Sequence, residues 1–216
     1  MISGKLICIY RKHLLLTRKG LEKMARLHFH YGVMSSSKSA SLLINAHNLK
    51  NNGIKVEIIK PAFDKRFSAS QIVSRIGLSG DAMAMPNLME YQPKEDTDFV
   101  LIDEVQFFAP NDIDKLVHIA DMQGKTVMCY GLMVDSNEEM FPASKRLIEV
   151  GAKLHRMEST CQINGCQKLA THHLRFDPNG AVIRAGDQFA LGDSNYKSVC
   201  RQHYNEMYRG IKQKVK

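Results

Sequence analysis

Gly32-Val33-Met34-Ser35-Ser36-Ser37-Lys38-Ser39 is the stretch on which the rest of the chain turns. Before it, Arg26–Tyr31 reads as a strand. After it, Lys38–Asn51 carries Leu42, Leu43, Ala46 and Leu49 at helical spacing. A glycine-opened loop that joins a strand to a helix and closes on Lys-Ser is the setting of a phosphate-binding loop, G-x-x-x-x-G-K-[ST]. Its backbone N–H groups wrap a phosphate, the lysine reaches the β/γ oxygens, and the hydroxyl serves Mg²⁺. The helix that follows turns its positive end toward the anion. Gly32, Lys38 and Ser39 match this pattern, while Ser37 stands where a second glycine is usual. A left-handed backbone there would cost a non-glycine residue about 1–2 kcal/mol, so the substitution predicts weaker nucleotide affinity. Taken alone, the loop is equally an ordinary serine-rich helix cap.

Working outward, Ile54–Ile59 reads as a second strand, closed off from the first helix by Gly53. Phe99–Ile102 is a short continuous apolar run of the kind that buried parallel strands show. Lys125–Tyr130 is another, preceded by a helical Asp112–Met122 and the breaker Gly124. Strand, helix and strand in alternation predict an α/β fold, a P-loop parallel sheet with helices on both faces. The Phe99–Ile102 strand runs into Asp103-Glu104. An acid at the end of a buried strand can orient the Mg²⁺ shell. The second acid is the more informative, because moving a phosphoryl group to an alcohol calls for a base beside the attacking hydroxyl. With the loop, the pair outweighs its alternative as two solvated turn residues.

The texture changes near residue 155, beyond which short polar segments hold most of the cysteines. The expected organisation is a basic extension over 1–23, a nucleotide-binding α/β domain over 24–154, a small zinc-binding subdomain over 155–208 and a basic tail over 209–216. The net charge of +8 is concentrated in the two ends, +5 over 1–23 and +4 over 209–216, leaving the body near −1. Specific nucleic-acid binding is therefore not expected. No apolar run approaches the roughly 18–20 residues a membrane span needs, and the broken apolar stretches of 1–23 make a poor secretory signal.

Five cysteines are too few and too unevenly spaced for a disulfide framework. Cys161-x4-Cys166 and Cys200-x2-His203 together make a Cys₃His set, a permitted structural zinc composition. The first spacing is wide, and Asn164-Gly165 supplies a turn within it. Free thiols are the alternative. A reducing, cytoplasmic location follows from the metal reading. Between them and the fold, residues 186–199 form a Gly- and Asp-bearing segment tied down by Cys200. This suggests a lid that excludes water on closing, or else a plain surface loop.

Five motifs in order and at family spacing resemble the type II thymidine kinases, and closely their bacterial and phage members. They are HYGVMSSSKSASLL in the loop, FDKRFSASQIVSRIGLS at 63–79, LIDEVQFF at 101–108, CYGLMVD at 129–135 and GDQFALGDSNYKSVCRQHY at 186–204. The resemblance runs from Met24 to about Tyr208. It implies ATP as phosphate donor, held by the loop with Lys38 and Ser39, and Mg²⁺ held through Asp103. Glu104 is the implied base for the 5′-hydroxyl of thymidine, with deoxyuridine as a possible second substrate. Asp64 and Arg66 are implied near the phosphates, and Gln106 with the nucleotide-side residues. Phe107 and Phe141 are implied beside the base, with Tyr196 and the Phe189, Ala190 and Leu191 backbone on the loop closing over it. It further implies a homotetramer, often inhibited by dTTP. Where the family usually has Arg and Phe, Met133 and Ser136 stand here, and loss of the ring predicts relaxed or shifted base preference, at about 1 kcal/mol of stacking. Two readings follow: a thymidine kinase, or a zinc-stabilised nucleotide-binding protein of the same fold with weakened catalysis.

Overall fold

A computed structural model describes residues 26–64, 70–184 and 195–211. Its centre is a six-stranded sheet built from β1 (Leu27–Tyr31), β2 (Val56–Pro61), β5 (Met83–Met85), β6 (Phe99–Ile102), β7 (Thr126–Gly131) and β8 (Lys153–Arg156). The strand order is β5-β2-β6-β7-β1-β8, and every neighbouring pair is parallel. The expected α/β sheet is thus present. In an all-parallel sheet the carboxyl ends of the strands share one edge, which is where ligands bind in such folds.

Alternation along the strands sorts side chains between two layers. Leu27 and Phe29 of β1 enter the larger core with Ile102, Val127 and Cys129. The helices α2 (Pro110–Asp121) and α3 (Pro142–Glu149) cover that face with Ile113, Leu116, Ala143 and Leu147. On the opposite face, α1 (Lys38–Asn51) lays Leu42, Leu43 and Ala46 on Ile58, Leu101 and Tyr130. Full burial of such side chains contributes about 1.5–3 kcal/mol each, so the two-sided covering holds the sheet's edge in place beneath the loops.

Local sequence explains where the helices stop and start. Asn52 and Gly53 end α1, with Gly53 at φ 76° and the Asn52 N–H turned back onto the Asn48 and Leu49 carbonyls. Pro110 opens α2 at its first position, and the Asp112 carboxylate accepts the Ala109 N–H at 2.9 Å and the Leu88 N–H at 2.6 Å.

Beyond the sheet, β3 (Gln71–Val73) and β4 (Ser79–Asp81) form a hairpin. β9 (His172–Phe176) and β10 (Asn195–Val199) form a second antiparallel pair, followed by the short α4 (Arg201–Met207). This last group has its own small core of Leu174, Phe176, Val199 and Tyr204. Among the described residues, no helix is long and apolar enough to cross a membrane.

Candidate active site

The loop from Gly32 to Ser37 leaves the carboxyl end of β1 and enters α1, and it crosses the sheet edge with two serines in the left-handed region. Ser35 and Ser37 both have φ 59°. Ser37 therefore adopts the conformation for which glycine is favoured, as its position in the motif predicts. Gly32 has a different reason to be glycine: a Cβ there would lie 2.3 Å from Ser36 Oγ and 2.7 Å from the Met157 carbonyl oxygen. No side chain caps the start of α1 and no acid sits in its first turn, so its N-terminal N–H groups face the loop's concavity unopposed.

Lys38 is nearly buried, and its ammonium folds back onto the loop, donating to the Val33 carbonyl at 2.7 Å and to Ser36 Oγ at 3.3 Å. Ser39 Oγ donates to Asp103 Oδ2 at 2.9 Å, joining the first turn of α1 to the end of β6. Burial first, and the adjacent Glu104 second, push the Asp103 carboxyl well above the usual carboxylate range, against the pull of Ser39 and Lys38. The Lys38 charge offsets the burial of Asp103 and its neighbour Glu104 only in part. The donor set, a hydroxyl oxygen and a carboxylate oxygen at the foot of an anion-binding loop, suits Mg²⁺.

Glu104 follows directly, at φ 49° and ψ 42°. Its Oε2 accepts from Gln106 Nε2 at 2.7 Å, and Gln106 Oε1 accepts the Leu132 N–H at 2.9 Å. Gln106 is fully buried, and both ends of its amide are engaged within the chain. Next to it in the same 3₁₀ turn, Phe107 meets Phe141 edge-on at 6.1 Å and Phe63 edge-on at 5.2 Å.

The loop, Asp103 and Glu104 border a cleft of about 200 Å³, which Lys60, Asp64 and Arg75 also line. Asp64 is nearly buried at the carboxyl side of β2. Phe63, Lys60 and Arg75 have no place in the sequence reading as site residues. Lys60 is 3% exposed and donates to the Gln71 carbonyl at 3.0 Å, and Arg75 donates to Ser35 Oγ. A lone lysine in a strand and a lone arginine in a hairpin carry no spacing signal that would single them out.

From the far side, Ser198 Oγ donates to the Met34 carbonyl, tying β10 to the phosphate loop. Tyr196 lies on the same strand, edge-on to His173 at 5.9 Å, and burial raises its hydroxyl above the ordinary tyrosine value. His173 is buried with its Nδ1 unpartnered, and burial, followed by the Lys38 charge, pushes it down to about 3. Tyr204 OH donates to the Ser136 carbonyl at 2.9 Å and Tyr208 OH to Asn137 Oδ1 at 2.8 Å, so α4 is fastened to the loop after β7. Arg66, Phe189, Ala190 and Leu191 lie outside the described residues, as does the 1–23 extension.

Cys161, Cys166, Cys200 and His203 come together, their ligand atoms all within 4.8 Å of one another. His203 offers Nδ1, 3.3 Å from Cys161 Sγ and 3.4 Å from Cys200 Sγ. The Lys168 N–H on Cys166 lowers that thiol below its ordinary value, which favours the thiolate. Three sulfurs and one imidazole nitrogen converging this closely are compatible with tetrahedral zinc.

A sequence model of the thymidine kinase family matches residues 25–204. The chain belongs to the thymidine kinase family. The thymidine kinase of enterobacteria phage T4 is 37% identical over 195 residues, covering 87% of this chain and all of the phage protein. Those of Shewanella oneidensis and Vibrio parahaemolyticus are 34% and 36% identical over 191 residues, each covering 85% of this chain and 98% of the relative. Members of the thymidine kinase family are transferases acting on a small nucleoside. Lys38, Asp103 and Glu104 line one cleft of this fold.

Proposed function

We propose that this thymidine kinase transfers the γ-phosphoryl group of ATP to the 5′-hydroxyl of thymidine, with Glu104 taking the hydroxyl proton. The observation that carries the reading is the 2.9 Å contact of Ser39 Oγ with Asp103, with Glu104 as the next residue. It unites a phosphate loop, a metal-side carboxylate and a base within one cleft. Phosphoryl transfer asks mainly for positioning and charge stabilisation, and these residues divide that work.

In this scheme the loop N–H groups and the Lys38 ammonium hold the donor's phosphates. Ser39 and Asp103 would hold Mg²⁺, which supplies positive charge against the phosphate oxygens. Asp64 and Arg75 border the space in which the acceptor sugar and the transferred group meet. Phe107 and Phe141 wall the base, and Tyr196 lies on β10. Glu104 receives the proton as the 5′-oxygen attacks phosphorus and the bond to ADP breaks.

Cys161, Cys166, Cys200 and His203 would hold zinc, which acts as a structural staple. The group of β9, β10 and α4 then fastens the phosphate loop through Ser198 and the β7–α3 segment through Tyr204. The reading is tested by phosphate transfer from ATP–Mg²⁺ to thymidine, deoxyuridine and deoxycytidine. Thymidine monophosphate formed by the wild type supports it. No product with any nucleoside, from folded and zinc-replete protein, supports a nucleotide-binding protein with weakened catalysis.

A further inference from the structure

Glu104 is joined to its own chain by a backbone in the left-handed region, and such a conformation persists only where the surroundings over-determine it. The surroundings here include a short line of hydrogen bonds that runs out of the core to the Glu104 carboxylate. Ser144 of α3, fully buried, donates its hydroxyl to the Leu132 carbonyl at 2.6 Å. The Leu132 N–H donates to Gln106 Oε1 at 2.9 Å, and Gln106 Nε2 donates to Glu104 Oε2 at 2.7 Å. The order of donors is forced. A backbone N–H can only donate, so the amide oxygen must face Leu132 and the NH₂ group must face the carboxylate.

Space for this amide is reserved at Gly131. A Cβ at that position would sit 2.4 Å from Gln106 Oε1 and 2.9 Å from Val105 Cγ1. The segment that anchors the amide also carries a base-side ring, because the Phe141 N–H donates to the Met133 carbonyl at 3.2 Å. The stretch after β7 therefore bears on both the Phe141 ring and the Glu104 carboxylate.

We infer that Gln106 is a positioning residue that fixes the direction of the Glu104 carboxylate, with the Leu132 backbone as its anchor. Holding Oε2 restricts rotation about the last side-chain bond and so sets where Oε1 points. Reaction at a misdirected base is slow even when both substrates bind, since a displacement of 1 Å costs on the order of 10²-fold. The inference rests on the reading of Glu104 as the base.

Gln106→Glu separates this role from a merely structural one. It keeps an acceptor for the Leu132 N–H and nearly the same volume, but replaces the neutral NH₂ donor by a carboxyl that either repels the Glu104 carboxylate or shares a proton with it, and neither leaves Glu104 held as before. We expect kcat for phosphate transfer to fall by about 10-fold or more, with the KM values for ATP and thymidine changed by less than about twofold. In a Glu104→Gln background the same change should cost less than about twofold in single-turnover rate, because its effect passes through the carboxylate. Ser144→Ala, which loosens the anchor, should give a smaller loss confined to kcat, and covers the case in which Gln106→Glu fails to fold. Equal losses in both backgrounds, or a loss seen in the KM for ATP, would overturn the inference. So would wild-type kcat in Gln106→Glu while Glu104→Gln is inactive, and that result leaves the base reading standing. Wild-type turnover in Glu104→Gln would instead overturn the base reading, and this inference with it.

Discussion

Ser39 Oγ and Asp103 Oδ2 lie 2.9 Å apart although 64 residues separate them, and that contact fixes the start of α1 against the end of β6. It also concentrates unfavourable charge. Asp103 is buried beside Glu104, so its carboxyl is raised from the ordinary value, by burial first and by Glu104 second. Removing the charge at Asp103 should relieve the metal-free protein while disabling the site, a trade common where function requires strain. Asp103→Asn can still accept from Ser39. Its thermal midpoint without Mg²⁺ should equal or exceed that of the wild type at pH 7.5. Its stabilisation by ATP–Mg²⁺ should be largely lost, as read by thermal shift, and its kcat should fall by about 10²-fold or more.

Ser37 sits at φ 59° in the loop position where glycine is usual. Ser37→Gly removes the left-handed penalty but adds glycine's unfolded-state freedom, leaving a net gain of about 0.5–1 kcal/mol. For a chain of this size that corresponds to a rise of roughly 1–4 °C in Tm. The KM for ATP should fall as well, because the loop is then relaxed in its binding shape. Calorimetry and initial-rate kinetics measure the two effects separately.

How much of this was legible in the sequence depended on whether a residue's role is set locally. The loop, β1, α1, β6 and the Asp103-Glu104 pair announce themselves because each combines a period or an apolar run with a chemically distinctive end. The edge strand β8 does not: Lys153-Leu154-His155-Arg156 has one face open to solvent and no buried run. The eight residues of α3 are too few for a helical period to stand out. Lys60 and Ser198 are not singled out by the sequence, yet at 3% and 0% exposure they touch the cleft hairpin and the phosphate loop, through contacts that only the fold creates. Gln106 was legible as part of a motif, but its pairing with the Leu132 N–H spans 26 residues and is invisible until β6 and β7 lie side by side.

His30 is stacked between Tyr130 at 4.5 Å and His155 at 4.4 Å, with His28 close by. Burial first, then the charges of His155 and His28, lower its value to about 4. Its unfolded counterpart takes up a proton near 6.5, so between those values the unfolded chain binds more protons. The stabilising contribution of neutral His30 is complete above about pH 6.5 and is lost as pH falls toward 4. Tm should therefore drop between pH 7 and 5. His30→Phe, which keeps the stacking, should make that drop shallower without abolishing it, since buried His173 acts with the same sign.

Cys200 closes the cysteine–histidine cluster two residues after Ser198, whose hydroxyl holds Met34 of the phosphate loop. Loss of metal should thus be felt at the cleft. Cys161→Ser, or treatment with a strong chelator, should lower Tm and raise the KM values for ATP and thymidine together. Zinc content, by atomic spectroscopy of the purified full chain, should be near one per chain in the wild type and far lower in the variant.

The most direct test of the account is single-turnover phosphate transfer from ATP–Mg²⁺ to thymidine by Glu104→Gln, compared with the wild type at matched occupancy of both substrates. Thymidine monophosphate is expected from the wild type and a rate lower by about 10²–10⁴-fold in the variant, with nucleotide binding retained. Transfer by Glu104→Gln at the wild-type rate would contradict it.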